Sequence, residues 1–211
     1  MAHPLFLEID KFEAWAKVML VEPSKISAEW ETDYLEWSAL DEQFKDFIGT
    51  VPSSSWNTDE LNRLTYIIAR DNECEQLIGS LPDDALVALA EFAMAHGEHD
   101  AKWQLADALP RIHDKQKASA LIEGFVNDPE EYVNRRALMA LGKVDGKKAE
   151  LYCKAHWDRN LYGDVGEYQR MAVLSTLKEI GSPLLAHYLD LAKTDGRPYL
   201  VNLAREIEQE A

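Results

Sequence analysis

Four stretches in the second half of the chain repeat one apolar spacing. Leu105, Ala108, Leu109 and Ile112 are followed by Ala137, Ala140, Leu141 and Val144. Val173, Thr176, Leu177 and Ile180 come next, then Leu200, Leu203, Ala204 and Ile207. Each set stands at i, i+3, i+4, i+7, which is one stripe of an α-helix. The residue after the first of each set is apolar too: Ala106, Leu138, Leu174 and Val201. The sets are 32, 36 and 27 residues apart, a period that marks stacked helical hairpins. Each stencil therefore reads as the second helix of a hairpin, near residues 100–112, 131–144, 167–180 and 198–208.

First helices are predicted to begin near Pro82, Lys115, Gly146 and Pro183. Three have clear stripes of their own, for example Leu86, Leu89, Ala90 and Ala93. The third is weaker, because Lys148 takes the first slot before Leu151, Tyr152 and Ala155. The turns between helices are polar and hold glycine or proline, and the longest runs from about Asp158 to Gly166. Pro110 should end its helix about a turn early. Upstream, residues 8–21 read as a short helix. Residues 27–48 read as a longer one striped by Trp30, Tyr34, Trp37, Leu40, Phe44 and Phe47. Gly49 and the run Val51-Pro52-Ser53-Ser54-Ser55 break the pattern. Thr58 or Asp59 is placed to cap a helix running to about Arg70, and a short helical piece follows at 73–79. The chain thus divides into acidic, aromatic-rich helices over 1–50, a linker over 51–57 and a repeat array over 58–211.

The segment from Asp128 to Val144, with its Ala140-Leu141-Gly142 ending, resembles a HEAT repeat, and the resemblance extends over about 82–210. It implies an all-α fold, a right-handed solenoid of about four to five hairpins, with the N-terminal helices capping one end. It also implies a ladder between a turn Asp and a second-helix Arg six residues later. Asp164 and Arg170 match that pair fully, while Asp128 faces Asn134 and keeps only the polarity. In such arrays the second helices line the concave face. Arrays of this kind serve many roles, so the resemblance bears on fold more than on function.

Charge then separates the two halves. Residues 1–100 hold 21 acids and 6 bases, while 101–211 hold 17 acids and 16 bases, so nearly all of the net −16 belongs to the first half. Such a surface repels phosphate backbones and steers basic partners inward. Two cysteines, Cys74 and Cys153, make no disulfide framework and point to a reducing compartment. The first residues lack the basic region of a secretory signal, and no apolar run of membrane-spanning length occurs. A cytoplasmic location follows as the expectation.

Candidate chemistry is sparse. His96, His99 and Asp100 are sound metal-ligand types, but they flank Gly97 in a repeat turn, and a solvated turn is the expectation. Cys153 and His156 stand i, i+3, without an evident third group to orient them or oxyanion donor. No phosphate-binding, nucleotide-binding or hydrolase motif occurs, and no cofactor is expected. Two binding surfaces are better candidates. One is acidic and aromatic: Glu29, Trp30, Glu31, Asp33, Glu36 and Trp37. The other is a second-helix ridge of Trp103, Asn134, Arg135, Arg136, Gln169, Arg170 and Arg197, suited to grip an acidic group bidentately.

The expectation is a non-catalytic protein-binding module, best described as an acidic immunity- or antitoxin-type inhibitor of a basic toxin such as a nuclease. The rivals are enzymes on the same scaffold. One resembles the alkylpurine DNA glycosylases and maps Trp103, Asp164, Arg135 and Arg170 loosely onto their concave-face roles, against the sign of the charge. The other resembles a bilin lyase. A generic scaffold is the remaining alternative.

Overall fold

The computed structural model describes residues 3–21, 29–159, 163 and 166–210. Among them the secondary structure is entirely helical, with no strand. The chain forms two compact units, Met1–Ala108 and Leu109–Ala211.

The first unit contains α1 (Pro4–Met19), α2 (Trp37–Thr50), α3 (Thr58–Arg70), α4 (Gln76–Ser80), α5 (Asp83–His96) and α6 (His99–Ala108). The helix expected over 27–48 begins only at Trp37; residues 27 and 28 lie outside the described set. Trp30–Asp33 form a single 3-10 turn, and Tyr34 is extended at φ −71°, ψ 117°. The aromatic spacing imitated a helix because these rings converge on one point, Phe12. The cap of α3 is Asn57 rather than Thr58 or Asp59. Its side chain accepts from the Asp59 and Glu60 amides, and Glu60 reaches back to the Asn57 amide in a full capping box. Trp56 is tied down before that cap, stacked on Phe47 at 5.6 Å and donating its indole N–H to the Val51 carbonyl at 3.2 Å. Helix α5 lies against both α3 and α6, and α3 packs on α6. Gln104 of α6 fastens that contact by donating to the Ile68 carbonyl of α3 at 2.8 Å.

The second unit contains α7 (Lys115–Val126), α8 (Glu131–Val144), α9 (Gly146–Asp158), α10 (Gly166–Glu179), α11 (Leu185–Lys193) and α12 (Pro198–Gln209). A 3-10 turn over Leu109–Arg111 precedes them, because Pro110 has no N–H to continue α6. Helices α8, α10 and α12 pack in succession, α9 fills the angle between α8 and α10, and α11 does the same between α10 and α12. The repeated stencil supplies the contact surface: Ala137, Leu141, Val173, Leu177, Leu200 and Ala204 are fully buried. At Gly142 a Cβ would stand 3.0 Å from the Thr176 methyl, so the glycine permits the close approach of α8 to α10. Lys148, the misfit of the third stripe, is half-buried. It donates to Glu123 of α7 at 2.8 Å, and the Tyr152 hydroxyl donates to the other oxygen of that carboxylate at 2.8 Å.

Candidate functional site

Phe12 organises the acidic, aromatic region of the first unit. The rings of Trp15, Tyr34 and Trp37 approach it within 5.0 to 5.5 Å, and Trp30 and Tyr66 lie just beyond 6 Å. Trp15 and Trp30 stack on each other at 5.5 Å. The Trp37 indole N–H donates to the Glu31 carbonyl at 2.7 Å, which closes the 3-10 turn against α2.

That closure turns two of the six predicted surface residues inward. Trp30 is 9% exposed and Glu31 5%, so neither presents its side chain on the predicted binding surface. Glu31 Oε1 lies 3.8 Å from the Arg70 guanidinium, which also bonds Glu98. Its Oε2 has no hydrogen-bond partner among the described residues. Burial holds the Glu31 carboxyl above the ordinary carboxylate range, despite the opposing pull of its own backbone and of Arg70. Glu29, Asp33 and Glu36 are exposed and Trp37 is half-buried.

The second-helix ridge is assembled differently from its prediction. Trp103 is a residue of the first unit, nearly buried, with its indole N–H 3.4 Å from Asp100 Oδ1. In the second unit Asn134 and Gln169 are buried and engage each other. The Gln169 amide donates to Asn134 Oδ1 at 2.8 Å, and Asn134 donates to the Asp128 carbonyl at 3.1 Å. They form an internal strut rather than a grip for a ligand. Arg170 donates to the Trp157 carbonyl and to Asp195, and Arg197 meets the same carboxylate. The two cations hold the Asp195 carboxyl below its ordinary range, Arg197 most strongly. Asp164, the predicted ladder partner of Arg170, lies outside the described residues.

Arg135 donates to both oxygens of Glu131 and stacks over the rings of Tyr132 at 4.6 Å and Tyr168 at 5.4 Å. Arg136 lies 6.0 Å from the Tyr132 ring. Tyr168 in turn stacks on Tyr199 at 6.3 Å. Tyr132, Tyr168 and Tyr199 are all exposed and stand in the first turns of α8, α10 and α12. This row of tyrosines was missed in the sequence, although Tyr132 and Tyr168 are separated by the same 36 residues as their stencils.

The thiol–imidazole pair is buried and held neutral. Burial pushes the Cys153 thiol up to about 12 and the His156 imidazole down to about 4. A nucleophilic thiolate needs the opposite shifts. His156 Nδ1 is 3.4 Å from the Gln169 amide. Its Nε2 makes no hydrogen bond of ordinary geometry among the described residues, although the nearby Val126 carbonyl favours its protonated form. Of the metal candidates, His96 is exposed against Phe92, and His99 is exposed with its Nε2 3.2 Å from Asp100 Oδ1. Among the described residues no three His, Cys, Asp or Glu come together to hold an ion, and no helix is long and apolar enough to cross a membrane.

Comparison with known proteins leaves these residues to carry the functional argument alone: no protein-family model, no curated protein and no solved structure matches the chain.

Proposed function

We propose that the chain is a HEAT-like, right-handed helical-repeat protein that binds a basic protein without acting on it chemically. Within that class we favour an inhibitor that covers the working surface of a basic toxin such as a nuclease. One observation carries the reading. The first unit, residues 1–108, holds 22 acids against 7 bases, while the second, residues 109–211, holds 16 against 15. The division of charge thus coincides with a division of the fold. Exposed carboxylates at Asp10, Glu29, Asp33, Glu36, Glu42, Asp46, Asp59, Glu73 and Glu75 supply the field that would steer such a partner. The neutral, buried Cys153 and His156 add support, because this thiol–imidazole pair is poised for packing.

Affinity capture from the native host followed by mass spectrometry tests this directly. The expected prey is a single basic protein whose activity the chain suppresses. Its association rate should fall steeply with added salt and again in the triple variant Glu29→Lys, Asp33→Lys, Glu36→Lys. An acidic prey, or binding indifferent to both salt and charge reversal, removes the proposal.

A further inference from the structure

We propose that the tyrosine row of α8, α10 and α12 docks a proline-rich segment of a protein partner in its extended, left-handed polyproline form. The row is one continuous surface. The Tyr132 ring lies 4.6 Å from the Arg135 guanidinium, that guanidinium lies 5.4 Å from the Tyr168 ring, and Tyr168 stacks on Tyr199 at 6.3 Å. About five residues of polyproline, rising about 3.1 Å each, would span it end to end. All three rings are exposed, Tyr199 by 59%. Each is nevertheless held by a neighbour in the row, so docking orders little that is not ordered already. Exposed tyrosine beside arginine is also the composition from which binding hot spots are made.

Charge decides against most occupants. Residues 130–136, 166–170 and 195–199, which carry the row, hold four arginines and four acids. Arg135 is paired with Glu131, and Arg170 and Arg197 with Asp195, while Glu167 is buried. A balanced surface complements an uncharged segment. A nucleic-acid strand would find no excess of cations to neutralise its phosphates. A basic segment would find no excess of acid.

Hydrogen bonding then narrows the choice to proline. Among the described residues the hydroxyls of Tyr168 and Tyr199 have no partner, and Arg135 bonds Glu131 through its Nε alone. The row therefore sets O–H and N–H donors among flat apolar rings. A helical partner satisfies its own carbonyls and has few to offer them. A polyproline segment has no internal hydrogen bonds, and proline has no N–H. It brings carbonyl acceptors, no donors that need a partner, and apolar rings to lie on the tyrosines. Aromatic-lined grooves hold proline-rich segments in this mode.

The test is an NMR titration of the full chain with three probes: N-acetyl-hexaproline amide, N-acetyl-(Gly-Ser)-(Gly-Ser)-(Gly-Ser) amide and hexathymidylate. Hexaproline at millimolar concentration should move the ring signals of Tyr132, Tyr168 and Tyr199 ahead of Tyr34 and Tyr66 in the first unit, and the glycine–serine peptide should not. Tyr168→Ala should weaken that binding roughly tenfold. Tyr168→Phe keeps the ring and removes only the hydroxyl, and should weaken it roughly threefold. Hexaproline that leaves the row unmoved, a glycine–serine peptide that matches it, or both variants titrating like the wild type overturns the proposal. So does hexathymidylate moving the row where hexaproline does not, which would make it a base-stacking surface. Row signals that move with the concentration of the chain alone would assign the surface to a second copy, and again the proline segment falls. The row shares no residue with the acidic surface of the first unit, so either reading can fail without the other.

Discussion

The two units bury comparable numbers of helices by unlike means. The second repeats itself: α8, α10 and α12 present the same stencil, and its core is mostly aliphatic, as in Leu138, Val173, Leu174, Leu177 and Leu200. Its buried polar groups include the Asn134 and Gln169 amides, the His156 imidazole and two carboxylates, Asp128 and Glu167. The first is built once, around a single phenylalanine ringed by five aromatic side chains, and it too buries two carboxylates, Glu31 and Asp71, both held above their ordinary range by burial. Repetition lets each helix lean on a copy of its neighbour. A unique aromatic nucleus concentrates stability at one point and leaves the surrounding surface free to carry charge.

The largest expected effect attacks that nucleus. Phe12→Ala should cost about 3–5 kcal/mol. In hydrogen exchange of the whole chain the loss of protection should fall on α1, α2 and α3 and spare α8 and α10. Equal loss in both units would mean that the two do not differ in how they hold together.

Acid should separate them next. His156 has an ordinary value of 6.5 and is held near 4 when folded. Its contribution is therefore present above pH 6.5 and is lost as pH falls towards 4, by at most about 3 kcal/mol. Glu31 and Asp71 are shifted upward, so their charged forms oppose folding and acid relieves the first unit. Exchange corrected for intrinsic rate should show the second unit loosening between pH 6.5 and 4 while the first does not. His156→Gln should flatten the response. Glu131, raised by burial in the second unit, works against this trend and trims its size.

The amide strut gives a smaller effect. Asn134→Leu leaves the buried Gln169 amide short of an acceptor and should cost about 1–3 kcal/mol. Adding Gln169→Leu should cost less than the sum of the single changes, which urea midpoints of the four chains will show. Strict additivity would dissolve the strut into two unrelated side chains.

The smallest effect has the opposite sign. Glu31→Gln should stabilise the chain at neutral pH by about 1 kcal/mol, the scale on which an unpaired buried polar group is penalised. The gain should vanish below the ordinary glutamate range near 4.5. Thermal melts at pH 7 and pH 4 compare the two, and a lower midpoint at pH 7 would show the Arg70 contact to outweigh burial.

The helices of the second unit were legible because a stripe at 3.6-residue spacing has few other uses, and Gly142 and Pro110 punctuate it by steric rules local to the chain. The segment 27–48 was misread for the same reason. Trp30, Tyr34 and Trp37 have helical spacing, yet they gather around Phe12, and a contact with a residue eighteen or more positions upstream leaves no trace in local periodicity. The ridge illustrates another limit. Asn134 and Gln169 are polar residues on polar-looking turns of the stencil, and nothing in either says that each buries the other. Arg170 and Arg197 converge on Asp195 across a turn, a choice among many acids that only packing makes.

Glu167 has a consequence of another kind. It is almost fully buried, and its carboxylate accepts from the Leu200 amide at 2.9 Å, 33 residues further on, closing the first turn of α12. A ribosome delivers the carboxylate well before the amide that satisfies it. Until the last helix is made, the acid of α10 lacks the amide from which it accepts in the finished fold. A chain cut after α11 would retain that acid without its latch. For anyone wishing to shorten this array or splice it to another, the usable seam is before Glu167, not after it.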